Sequence, residues 1–92
     1  MNEKILERKL REAVKSLGGI ALKFSSVFYT GMPDRIVLME GGKLFFVELK
    51  STGGTPSPRQ RIVHQMLQKL GFEVWVIDTP ELLQEFLKHI QK

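Results

Sequence analysis

With 92 residues, 42% of them hydrophobic and 26% charged, the sequence has the balance of an ordinary globular chain and room for one domain, 1–92. It has no cysteine, which excludes a disulfide framework and any cysteine-based zinc site, and its two histidines, His64 and His89, stand too far apart for a metal-ligand spacing. A formal charge of +4 favours an anionic partner such as nucleic acid, though as a cue from composition and not as a site.

The polar opening, Met-Asn-Glu-Lys, leads into an amphipathic stretch with no apolar signal region after it, and runs such as Leu44-Phe45-Phe46-Val47 are too short to span a bilayer. A cytoplasmic protein is expected. Residues 3–17 should form a helix: Ile5, Leu6, Leu10, Ala13, Val14 and Leu17 recur at three- and four-residue steps, with Asn2 as N-cap and Gly18-Gly19 as the stop. Residues 20–28 read as a strand, because Ile20, Leu22 and Phe24 alternate with Ala21, Lys23 and Ser25. Thr30-Gly31-Met32-Pro33 is a turn, 34–39 a second strand, Glu40-Gly41-Gly42 a hairpin turn and 43–50 a third strand.

An aperiodic loop follows from Ser51. Ser57 then reads as an N-cap with Pro58 at the first helical position, opening a helix to about Leu70. Its expected apolar stripe is Ile62, Val63, Met66, Leu67 and Leu70, and Gly71 ends it. Residues 72–78 form a fourth strand, and Thr79-Pro80 open a last helix running to about residue 90. The order αβββαβα joins the first three strands by short turns and the last two through a helix. The expected fold is therefore α/β: an antiparallel meander, a parallel fourth strand, and helices packed on a mixed four-stranded sheet.

Chemistry concentrates in Pro33-Asp34 and Glu48-Leu49-Lys50. Side chains at i and i+2 share a face of a strand, so Glu48 and Lys50 point together while Leu49 points into the core. Counting outward from the Gly41-Gly42 turn puts Asp34 at the same end of the hairpin. Two carboxylates and an ammonium then converge, a grouping suited to phosphodiester hydrolysis. Carboxylate oxygens are ligands that a hard cation such as Mg²⁺ prefers, and a lysine beside them offsets charge growing on a phosphoryl group. A lone Glu-x-Lys is ordinarily a solvated strand edge, and a lone Asp in this setting a turn residue; the combination carries the signal.

Gly31-Met32-Pro33-Asp34-Arg35, Phe46-Val47-Glu48-Leu49-Lys50, Gly53-Gly54 and Ser57-Pro58-Arg59-Gln60 together resemble the VRR-NUC (virus-type replication-repair nuclease) domain of the PD-(D/E)xK nuclease superfamily. The resemblance runs from the first helix to Asp78. It implies a restriction-endonuclease-like αβββαβ core and a Mg²⁺- or Mn²⁺-dependent endonuclease that leaves a 5′-phosphate. It further implies Asp34 and Glu48 as metal ligands, the Leu49 carbonyl as a third, Lys50 as the catalytic lysine and Gln60 as a site residue. A glutamate of the first helix would join them; Glu7 fits the family register best, with Glu3 and Glu12 left open. Stand-alone members resemble Holliday-junction resolvases, which implies a homodimer acting on branched DNA.

Arg35, Arg59 and Arg61 are the expected phosphate-gripping residues, with Lys4, Arg8, Arg11 and Lys15 on the first helix as a second set or simply a solubilising face. His64 reads as a surface histidine, and Trp75 as core or subunit contact. A nucleic-acid-binding module without turnover is the rival reading, and a domain whose charged strand ends are only surface is the third.

Overall fold

The computed structural model describes residues 1–92. Helix α1 spans Glu3–Ser16, with the Asn2 side chain accepting from the Ile5 N–H at 2.9 Å. Strands β1 (Ile20–Lys23), β2 (Arg35–Met39) and β3 (Lys43–Leu49) follow as an antiparallel meander. Helix α2 (Pro58–Lys69) then carries the chain across to β4 (Glu73–Ile77), which lies parallel to β3, and α3 (Pro80–Ile90) completes the chain. The sheet order is β1-β2-β3-β4. Crossover through a helix is what a parallel neighbour requires, and tight turns are what the antiparallel ones allow. No helix is long and apolar enough to cross a membrane.

The period-two pattern of the strands sorts side chains to two faces. Val37, Phe45, Val47, Leu49 and Ile77 meet Leu6, Leu10 and Val14 of α1 and Leu83, Phe86, Leu87 and Ile90 of α3 in the main core. A smaller cluster on the opposite face joins Phe46 to Val63 and Leu67 of α2, flanked by Met32, Ile36 and Val74. Trp75 packs edge-on against Phe86 with ring centres 5.2 Å apart, as expected of a core aromatic, and its indole N–H donates to Glu73 at 3.1 Å. Gly19 lets the end of α1 press against β2: a Cβ there would overlap the Met39 side chain and the Leu38 carbonyl oxygen.

Two expectations need correction. The first strand stops at Lys23 and not at residue 28. Phe24 makes one more bond to the sheet, its N–H donating to the Asp34 carbonyl at 2.8 Å, after which the chain leaves as a loop. The stripe of α2 is also rotated. Val63, His64 and Leu67 are buried, whereas Ile62 and Leu70 are 59% and 66% exposed. Gln60, Val63, His64 and Leu67 are the i, i+3, i+4, i+7 set that faces the sheet, and Ile62 falls on the far side of the helix.

Truncating Phe86 leaves a void where both α1–α3 packing and the Phe45 and Trp75 contacts converge. Phe86→Ala is expected to cost about 3–5 kcal/mol, while Ile62→Ala should change stability by less than about 0.5 kcal/mol; urea unfolding of the two variants checks both values.

Candidate active site

The β2–β3 ladder pairs Arg35 with Val47, so one step further along Asp34 stands opposite Glu48. Both lie on the face that α2 covers, as does Lys50, and Leu49 between the latter two is buried in the main core. Backbone bonds fix the strand ends: the Lys50 N–H donates to the Ile77 carbonyl at 3.0 Å, and the Leu49 N–H donates to Asp34 Oδ1 at 3.3 Å. The predicted convergence of Asp34, Glu48 and Lys50 is present.

Glu48 is only 3% exposed, because β3 is an inner strand with β2 on one side and β4 on the other. Its Oε2 lies 3.3 Å from Lys50 Nζ, while Oε1 is buried without any hydrogen-bond partner. Burial holds the Glu48 carboxyl above its ordinary pKa, the charge of Asp34 pushes the same way, and Lys50 opposes both. Asp34 is raised as well, chiefly by burial, against the lowering effects of Arg35, the Leu49 N–H and Lys50. A buried and a half-buried carboxylate thus face each other, with Lys50 beside Glu48 and Arg35 beside Asp34, and Glu48 Oε1 is left as an unpartnered acceptor. That donor set suits a hard divalent cation.

The other predicted residues divide. Glu7 does not reach the pair: its Oε1 accepts from Arg11 Nη1 at 3.0 Å. With Glu3, Lys4, Lys23 and Arg35 it lines an open cleft of about 320 Å³ on the α1 side. Glu3 is the helix carboxylate whose charge acts on Asp34, and Glu12 lines a different cleft with Leu83 and Leu87. No set of three His, Asp or Glu side chains is gathered in one place.

Gln60 is engaged in the capping box of α2, its Oε1 accepting from the Ser57 N–H at 2.9 Å while Ser57 Oγ accepts from the Gln60 N–H at 3.2 Å. Its side-chain carbonyl therefore serves the helix start, and the family role expected for it has no contact here to support it. Arg35, with a side chain 14% exposed, donates to the carbonyl of Asp34 at 2.9 Å and holds a guanidinium nitrogen 3.9 Å from the Asp34 carboxylate. It offsets the charge of Asp34 more than it reaches solvent. Arg59 donates to Thr30 and lies over the Tyr29 ring, and Arg61 is exposed on α2.

His64 is the residue the sequence reading misplaced. It is 6% exposed, its Nε2 has no partner, and burial, then the Lys50 charge, hold its pKa below the usual histidine value. The imidazole thus lies within the electrostatic reach of Lys50, and both burial and that charge oppose its protonation. The signal that would have placed it is its i+4 spacing from Gln60 and i+1 position beside Val63 on the buried line of α2. Asp78 was also unassigned; it ties the Gly53 loop down, its carboxylate accepting from the Gly53 N–H at 3.1 Å and its carbonyl from the Thr52 hydroxyl at 2.9 Å.

A mixed sheet whose adjacent strand ends present Asp, then Glu-x-Lys, beneath the start of a crossover helix is the architecture of a PD-(D/E)xK-type nuclease domain. Comparison with known proteins narrows this. The model of the VRR-NUC domain matches residues 1–79. The phage protein named "Putative nuclease p44", from Acyrthosiphon pisum secondary endosymbiont phage 1, is 42% identical over 82 residues, covering 89% of this chain and 88% of that protein. A solved structure described as a VRR-NUC domain superposes with a TM-score of 0.88 at 28% identity, covering 95% of each chain. The chain belongs to the VRR-NUC nuclease family.

The raised carboxyls have a consequence for stability. A carboxyl whose folded pKa lies above its unfolded value stabilises the fold fully below the unfolded value, here near the ordinary 3.8 for Asp34 and 4.5 for Glu48, and that contribution is lost as pH rises through the folded pKa. With divalent ions chelated, Asp34→Asn should therefore be more stable than the wild type at pH 7, by on the order of 1 kcal/mol or less given solvent screening. The advantage should shrink towards pH 4. Urea unfolding of both proteins across that range checks the sign.

Proposed function

We propose that this chain is a divalent-metal-dependent DNA endonuclease, acting as a homodimer on branched DNA such as four-way junctions. The observation that carries the metal-dependent part is the buried, partnerless Oε1 of Glu48 facing Asp34. A buried acceptor left unpaired is costly, and it is retained where a ligand satisfies it. Asp34 and Glu48 would hold Mg²⁺ or Mn²⁺, with the Leu49 carbonyl as a further oxygen ligand. The ion, when bound, makes a water more acidic and shields charge on the phosphate.

The chain's own groups supply the rest. The Leu49 N–H fixes the orientation of Asp34, and Arg35 offsets its charge from behind. Glu48 Oε2 holds Lys50 Nζ at 3.3 Å, placed to donate to a phosphoryl oxygen or to orient the attacking water. Arg59, Arg61 and the lysines and arginines of α1 carry the positive surface that a DNA backbone would meet.

Homodimerisation draws support from β1. Ile20, Leu22 and Leu38 lie on the α2-facing side of the sheet, beyond the reach of α2, and are 51%, 43% and 36% exposed on or beside an edge strand. Pairing two copies would set two active sites symmetrically, as paired cuts in a junction require. The second reading, a nucleic-acid-binding module without turnover, draws on the lack of a third carboxylate beside Asp34 and Glu48.

Cleavage of a labelled four-way junction, beside linear duplex, single strand and flap, separates these readings. Symmetric cuts in Mg²⁺ or Mn²⁺, none in chelator, and at least a roughly 100-fold loss in Lys50→Ala and Asp34→Asn are expected. Binding unaffected by chelator, with no cleavage in any divalent metal, would favour the module. Sedimentation at micromolar concentration should give a dimer for the wild type and a monomer for Leu22→Asp.

A further inference from the structure

The loop between β1 and β2 projects two apolar side chains that no part of the fold uses. Val27 is 87% exposed and Phe28 99% exposed. A lone exposed leucine needs no explanation, but a phenylalanine wholly in water beside an equally bare valine does. The base of the loop, by contrast, is fastened. Arg59 Nε donates to the carbonyl and hydroxyl oxygens of Thr30, both at 3.3 Å, and its guanidinium carbon lies 5.3 Å from the centre of the Tyr29 ring. The Tyr29 hydroxyl reaches Met66 Sδ at 3.1 Å. Gly31, at φ +89°, lies so close to α2 that a Cβ would come within 2.9 Å of the Val63 side chain and 3.0 Å of the Arg59 carbonyl. The loop is thus clamped to α2 from Tyr29 to Gly31, and Val27 and Phe28 stand out from that clamp.

We infer that Phe28, with Val27 next to it in the loop, is a stacking element that receives an unpaired nucleobase of the substrate within reach of the Asp34–Glu48 pair. The inference takes its substrate class from the nuclease reading above. Three observations favour a base over another protein surface. Two side chains at a tip are too small for a stable protein interface, which needs roughly 1,000 Å² in all, whereas one flat ring matches one base. The Arg59 cation lies over Tyr29, the residue next to Phe28, which suits the phosphate attached to that base. It also lies six residues before Asp34, so the chain between them spans at most roughly 20 Å, or about six stacked nucleotides.

Base faces are hidden inside a continuous duplex. They are open at a branch point, a flap or a single strand. A stacking residue at this place therefore gives the enzyme a means of preferring interrupted DNA without reading its sequence, because every base has a π-face.

Binding is measured in chelator, so that no strand is cut, using a fluorescently labelled flap, single strand and linear duplex. Phe28→Ala is expected to lose on the order of ten-fold in affinity for the flap and single strand, with duplex affinity unchanged, and Phe28→Tyr to retain the wild-type pattern. In Phe28→Trp, emission at the tip should be quenched by single strand and flap but not by duplex, with the wild type, whose one tryptophan is Trp75, as background. Equal affinities of Phe28→Ala and wild type for all three DNAs would overturn the inference, and so would a shift of Phe28→Ala from dimer to monomer in sedimentation, which would assign the tip to self-association. Wild-type cleavage in Mn²⁺ is run beside these titrations. Cleavage together with equal affinities sinks the stacking element and leaves the nuclease standing; selective loss of single-strand affinity in a chain that never cleaves sustains the stacking element and sinks the nuclease.

Discussion

In a hairpin whose ladder pairs Arg35 with Val47, Asp34 and Glu48 cannot move apart without breaking the sheet. Glu48 is buried and Asp34 half-buried, and the charge of Asp34 adds to the effect on Glu48, so both carboxyls are harder to ionise than in water. Lys50 at Glu48 and Arg35 at Asp34 each answer part of this charge. The site stores an electrostatic deficit that the rest of the structure is built to withstand: a well-filled core on one sheet face, with Leu49 anchored in it between the two residues that face the site. Strain of this kind is cheapest to keep at the end of an inner strand, where backbone bonds on both sides hold the chain in place.

The active end is assembled from four pieces that are distant in sequence. The β2–β3 register brings the carboxylates together. Helix α2 lays the buried His64 within electrostatic reach of Lys50 and, through its capping box, starts at a defined point above the site. Asp78, just after β4, ties down the Gly53 loop that connects Lys50 to α2. The loop from Phe24 to Pro33 is clamped to α2 by Arg59 and Gly31 and delivers the chain to Asp34. Each piece is held by hydrogen bonds or close packing to a neighbouring element.

The hairpin, the crossover and the grouping of Asp34, Glu48 and Lys50 were legible in the sequence because they follow from local rules: period two in strands, a glycine turn to count from, and proline and serine at a helix start. What was illegible depends on tertiary packing. Alternation from Ile20 to Phe24 continues past the last ladder pair, Lys23 with Arg35, so β1 read too long. On α2, Ile62 and Leu70 looked better suited to the core than His64, and only the approach of the helix to the sheet shows which line is buried. Gln60 matched a family position, but a capping box needs the same residue at the same place, and sequence cannot separate the two uses. Which glutamate of α1 approaches the site depends on side-chain direction across a helix end; Glu7 turns to Arg11, and the charge that reaches Asp34 is that of Glu3.

Calorimetric titration of Mn²⁺ into the wild type and Glu48→Gln tests the central claim most directly, since it asks whether the paired carboxylates exist to hold a cation. Saturable binding to the wild type, lost or weakened at least about ten-fold in Glu48→Gln while the variant remains folded, is the result this account predicts. No binding to the wild type, or equal binding to both proteins, would contradict it.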